Sequence, residues 1–154
     1  MDIDYNNSIQ QINPQNILIS VIKNKKQPRL CIFNKVYPIS LEIAGKSIFG
    51  IDMVYGKRYM KFAIENIEIS QLIKSIDIRL MTLVDGLQSS FYGSNIIFTM
   101  LDKDIIIQNM DGKIMSSFSI DKNTEMEITL ELGDIYTNNK QSSYKWIVKK
   151  IVIL

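Results

Sequence analysis

A mainly β domain, a barrel or a sandwich carrying one helix, is the fold class this sequence predicts, on three observations. Met126, Ile128, Leu130 and Leu132 alternate with Glu127, Thr129 and Glu131, the period of a half-buried strand. Residues 144–154 follow as the most β-prone stretch, rich in Val and Ile and holding the only Trp. Upstream, short apolar runs recur at strand-plus-turn spacing, interrupted by one amphipathic segment of helical period.

Residues 1–15 are polar and read as an N-terminal arm, leaving 16–154 as a single domain. Residues 16–23 predict a strand. Residues 23–29 carry four cations, Lys23, Lys25, Lys26 and Arg29, and Pro28 argues against a regular element there. A solvated hairpin loop and a phosphate-contacting arm are both open readings of this stretch. Residues 29–37 and 39–44 predict strands divided near Pro38, and 49–55 with 57–65 predict a hairpin turning at Gly56. Ile69, Leu72, Ile73 and Ile76 recur at helical spacing, with Ser70 as candidate cap and Leu80 and Leu83 extending the run. Phe91 and Tyr92 then fall in a loop, anchoring it or stacking on a ligand. Residues 95–101 and 104–109 predict strands around a turn at Asp102-Lys103. Asp111-Gly112 signals a hairpin into a strand at 113–120, and 121–124 a further turn. The polar stretch 133–143 reads as the loop before the last strand.

Composition removes whole classes of function. The chain has 154 residues and no His, so imidazole bases and the Ser-His-Asp and Cys-His arrangements are absent. One cysteine, Cys31 in an apolar run, excludes an internal disulfide and a multi-cysteine zinc site. No acidic cluster is spaced for a metal, and the expectation is a non-enzyme without cofactor or metal. No apolar run approaches the ~20 residues of a membrane span, and the opening Met-Asp-Ile-Asp is acidic where a signal peptide would be basic. An intracellular protein is expected, in host cytoplasm or nucleus or at a viral replication site, neither secreted nor membrane-bound. A net charge of +2 means that any affinity for nucleic acid must come from local clustering.

Beyond residues 23–29, such clustering occurs in two places. In 57–65, Met60, Phe62 and Ile64 make an apolar face, while Lys57, Tyr59 and Lys61 share the other, with Tyr55 and Arg58 crowding the same turn. Cations interleaved with rings suit phosphate tracking and base stacking, although an ordinary solvent face has the same pattern. In the last strand Tyr144, Trp146, Val148 and Val152 share one face and Lys145, Ile147 and Lys149 the other. Trp146 either stacks on bases or belongs to the core.

The order of these features is similar to a known family. A Tyr-Gly hairpin (Tyr55-Gly56-Lys57), a mid-chain helix and an ending of alternating strand, Asp/Tyr loop and Tyr-x-Trp strand (Leu130 to Ile153) resemble single-stranded DNA-binding proteins of the podophage replication type and their relatives in large eukaryotic DNA viruses. The resemblance implies an OB-fold, a closed or partly open β-barrel with one helix inserted between strands, and a nucleic-acid role at Tyr55, Lys57, Tyr144 and Trp146. Two features depart from the family: Lys145 stands where a Gly usually follows the Tyr, with a shorter spacing to Trp146, and the chain ends on Ile153-Leu154 without the acidic tail through which phage members recruit replication enzymes. Recruitment through such a tail is therefore not expected.

Together these features predict a sequence-tolerant single-stranded DNA-binding protein of replication, recombination or repair. RNA, replication proteins and self-association are left open as further partners. Phosphate contacts are expected from Lys57, Arg58, Lys61, Lys145, Lys149 and Lys150, and stacking from Tyr55, Tyr59, Tyr144 and Trp146, with Lys23, Lys25, Lys26 and Arg29 as secondary candidates. The alternative is a structural or assembly β-module, such as a viral scaffold or oligomerising domain, that binds no nucleic acid.

Overall fold

The computed structural model describes residues 12–22, 25–32, 35–139 and 141–154. Residues 1–11 of the expected arm lie outside the described residues. The strands are β1 (Ile17–Ile22), β2 (Lys25–Ile32), β3 (Lys35–Pro38), β4 (Ser40–Val54), β5 (Lys57–Ile64), β6 (Ile96–Asn109), β7 (Glu125–Asn138) and β8 (Gln141–Ile153). The one α-helix among the described residues, α1 (Ile67–Leu83), is inserted between β5 and β6.

Five of the strands close on themselves. β4 pairs antiparallel with β5, β5 with β6, β7 with β8 and β7 with β4, and the parallel β6–β8 ladder completes the circuit. This is a closed mixed barrel with one inserted helix, the OB-fold-like architecture that the resemblance implied. β1, β2 and β3 form an antiparallel meander that meets the barrel where Lys26 of β2 pairs with Ile135 of β7.

Side-chain alternation fills the interior. Met60, Phe62 and Ile64 of β5, Ile97 and Leu101 of β6, and Met126, Ile128, Leu130 and Leu132 of β7 are all buried. Each such apolar side chain contributes about 1.5–3 kcal/mol on leaving water. Position 45 has no room for a side chain where β4 pairs with β5: a Cβ on Gly45 would meet the Phe62 ring at 2.6 Å and collide with the Ala63 carbonyl oxygen. At the β4–β5 tip, Tyr55 (φ 50) and Gly56 (φ 78) both take left-handed backbone, the geometry of a tight hairpin turn whose twist matches its strands.

Several elements differ from expectation. The basic stretch is strand rather than loop from Lys25 onward, with Pro28 opposite Ile19 and the β3 ladder starting only at Arg29. Pro28 thus escapes a second ladder that would need its missing N–H. The run 29–37 divides into the end of β2 and β3. Helix α1 starts two residues earlier, capped by Asn66, whose Oδ1 accepts from the N–H groups of Glu68 (2.8 Å) and Ile69 (3.2 Å). Ser70 is buried and donates to the Ser94 carbonyl (2.9 Å).

β6 runs unbroken through Asp102-Lys103, and the turn signal survives only as a register jump from Leu101↔Val148 to Ile106↔Lys150. After Asp111-Gly112 the return arm makes an isolated bridge, Gln108↔Ile114, and a short 3-10 turn at Ser117–Ser119 instead of a strand. Most of the expected loop 133–143 is strand, so β7 and β8 form one long hairpin.

A bulge in β8 alters its inward face. Val148 pairs with Leu130 and Lys150 with Thr129, which leaves Lys149 as the extra residue. One inserted residue reverses the parity of all that follow. Ile151, not Val152, therefore continues the buried series of Tyr144, Trp146 and Val148. Trp146 is 0% exposed and Tyr144 3% exposed, so Trp146 takes the core alternative left open for it, and the stacking expected of Tyr144 is corrected.

Because Trp146 is the only indole, its emission should be blue-shifted and resistant to acrylamide quenching. Trp146→Ala should destabilise the fold by about 3–5 kcal/mol, measured by urea unfolding.

Candidate nucleic-acid interface

The outer face of β5, β6 and β8 gathers rings and cations into one cluster. Alternation turns Tyr59 and Lys61 outward from β5, and Phe98 and Met100 outward from β6, because Met60, Phe62, Ile97 and Thr99 point inward. The register sets Lys61 opposite Phe98 and Tyr59 opposite Met100. Tyr59 thus becomes the diagonal neighbour of Phe98, and the rings stack with centroids 5.2 Å apart and planes 12° apart. Tyr92, from the loop before β6, meets Phe98 edge-on at 6.0 Å.

Two ammonium groups lie against these rings. Lys61 Nζ stands 4.8 Å from the Tyr92 centroid, and Lys145 Nζ of β8 stands 5.4 Å from that of Phe98. Such cation–π contacts contribute about 0.5–1 kcal/mol at exposed sites. Burial pushes the Lys145 ammonium below the ordinary lysine range, since desolvation disfavours its charge. A cleft of about 120 Å³ opens beside Phe98 and Lys145, between Tyr92 and the Ser89-Ser90 segment.

The other expected residues fall at graded distances from this centre. Tyr55 stands fully exposed at the hairpin tip and Lys57 is exposed beside it. Arg58 Nη2 donates to the Asp102 carbonyl (3.4 Å), and the Asp102 carboxylate lies 3.5 Å from Lys149 Nζ. Asp102 thereby collects Arg58 and Lys149 on the same side of the barrel as the hairpin. Lys149 stays half exposed, and a pair of that kind contributes about 0–1 kcal/mol, little hindrance to a competing phosphate. Lys150 is exposed beyond the bulge, cross-strand from Thr129 and Ile106.

Of the secondary candidates, Arg29 is the one whose side chain is described, and it lies apart from the cluster. Lys23 lies outside the described residues, and only the backbone course of Lys25 and Lys26 is described. Arg29 is half-buried and bonded to Gln27 Oε1 (2.7 Å). The pairing order puts β7 and β8 between β2 and β6. Tyr144 and Trp146 face inward; the Tyr144 hydroxyl donates to Asp77 of α1, and burial, reinforced by that carboxylate, raises its pKa. On the far side Glu131 pairs with Ile147, so carboxylates of β7 border the cluster and limit the face open to an anion.

Phe98 is the ring at the centre, and sequence reasoning passed over it. A signal was present: Ile96, Phe98 and Met100 are apolar on the face opposite Ile97, Thr99 and Leu101. A strand apolar on both faces has an outer surface that something must cover. Among the described residues no group of three or more His, Cys, Asp or Glu is placed to hold a metal ion.

Neither family models nor curated protein sequences match this chain. Among solved structures, the fold is similar to that of the single-stranded DNA-binding protein from bacteriophage Enc34 in its C-terminal truncation, with a TM-score of 0.51 and 8% identity over 90% of this chain and 95% of that one. Two further structures of that phage protein, one in complex with ssDNA, give TM-scores of 0.49 at 8% and 9% identity. They cover 89% and 88% of this chain, and 88% and 92% of theirs. At such identities the likeness is one of fold: an OB-fold-like barrel shared with a phage protein.

Proposed function

We propose that this protein is a non-catalytic, sequence-tolerant single-stranded DNA-binding protein, serving viral DNA replication, recombination or repair. The observation that carries the reading is the Tyr59–Phe98–Tyr92 ring cluster set against Lys61 and Lys145. OB-folds bind oligonucleotides on the corresponding strands and on the loop that corresponds to the Tyr55–Gly56 hairpin. Every base has a π-face, so stacking on these rings is tolerant of sequence, at about 1–3 kcal/mol per base. Lys57, Lys61 and Lys145 would displace counterions from phosphates, with Arg58 and Lys149 joining once released from Asp102. The fold shared with the Enc34 protein supports the same reading.

A second reading, a protein-assembly module, has its own support. Met110, Ile114 and the 91% exposed Phe118 are uncovered along the segment after β6. A discrete large particle by light scattering, indifferent to oligonucleotide, would favour it.

Anisotropy titration of a dye-labelled oligo-dT tests the main reading. Binding should weaken steeply with salt, with a log–log slope of about −0.7 for each phosphate neutralised, and duplex DNA should bind more weakly. Phe98→Ala should cost about 1–3 kcal/mol of affinity. Absence of binding at low ionic strength would refute the reading.

A pH dependence follows from Lys145. Its pKa in the free protein is lowered by burial, whereas a bound phosphate favours the charged form. Affinity is therefore complete below the free-protein pKa and falls as pH rises through it, beginning under the usual lysine value of 10.5. Lys145→Arg, which holds its charge, should remove that step from the pH profile.

A further inference from the structure

Asp77 sits on the buried face of α1 with Ile73, Ile76 and Leu80, and is 3% exposed. A carboxylate there is costly to desolvate, and among the described residues it makes no ion pair. Its partners are neutral donors from two other elements. Ser89 Oγ donates to Oδ2 (2.6 Å), while the Ser90 N–H (3.2 Å) and the Tyr144 hydroxyl donate to Oδ1.

These bonds lead directly to the rings. Ser89 Oγ also accepts from the Phe91 N–H (3.1 Å), and the Ser90 carbonyl accepts from the Phe98 N–H (2.9 Å). The Tyr92 N–H donates to the Ile96 carbonyl (2.8 Å), which folds Tyr92 back toward Phe98. Ser89, Ser90 and Tyr144 also line the cleft beside Phe98 and Lys145. These three donors tie the 89–91 segment and β8 to one side chain of α1.

We infer that Asp77 and Ser89 are positioning residues for base stacking: through the 89–91 segment they fix Tyr92 against Phe98 and keep the cleft between those rings and Lys145 open. The inference rests on the proposed binding of single strands. It assigns the inserted helix a task at the interface although α1 places no ring there itself.

The test compares a labelled oligo-dT with an abasic deoxyribose-phosphate oligomer of the same length, using the full chain. Asp77→Asn and Ser89→Ala should each weaken oligo-dT at least about fivefold, the lower end of one stacked base, and leave abasic binding and its salt slope unchanged. Ser89→Thr, which retains the hydroxyl, should restore affinity. Ser89 is exposed, so Ser89→Ala reports even if Asp77→Asn fails to fold. Unchanged oligo-dT affinity in Ser89→Ala would overturn the inference alone, as would equal losses on both oligomers. Failure of the wild type to bind oligo-dT would instead overturn the binding reading, and this inference with it.

Discussion

The parallel ladder between β6 and β8, running from Thr99↔Trp146 to Asn109↔Ile153, closes a sheet that the antiparallel pairings alone would leave open. On one side lies β4–β5–β6, on the other β7–β8, and β7 already holds β4. Closure removes the two edges that an open sheet would present. It also decides which side of β8 faces the interior, and with it the burial of Trp146 and Tyr144 and the outward course of Lys145.

The same ladder builds the candidate interface. Phe98 and Lys145 are distant in sequence, and they meet because the register that pairs Thr99 with Trp146 sets their preceding residues side by side. Tyr59 and Lys61 arrive through the antiparallel β5–β6 ladder, and Tyr92 through a loop held to α1 by the Asp77 network. Charge then gives the face a direction. Cations lie at the rings and along the hairpin, while the β7 glutamates begin where Glu131 meets Ile147. A polyanion on this surface would run toward the Tyr55 tip and away from β7.

Much of this architecture was legible from local pattern. The alternation of 126–132, the left-handed demand at Gly56 and the helical spacing of Ile73, Ile76 and Leu80 are each written within a few residues. The outward pair Tyr59 and Lys61 was legible for the same reason. Phe98 was not, because its significance depends on a parallel pairing that has no local signature. Tyr-x-Trp in β8 says that both rings share a face, yet only closure says which face is inside. The bulge at Lys149 was equally hidden, since two adjacent lysines read as an ordinary end of alternation. Asn66 displaced Ser70 as cap because the helix starts where the N–H groups of Glu68 and Ile69 need an acceptor.

Whether single-stranded DNA lies on the β5–β6–β8 face is the decisive question. Photocrosslinking of an oligo-dT carrying 4-thiothymidine, with the modified peptides identified by mass spectrometry, addresses this directly. Crosslinks at Tyr59, Tyr92 and Phe98 are the predicted result. Crosslinks confined to the outer face of β7 near Glu127 and Glu131, or to the exposed segment around Phe118, would contradict it.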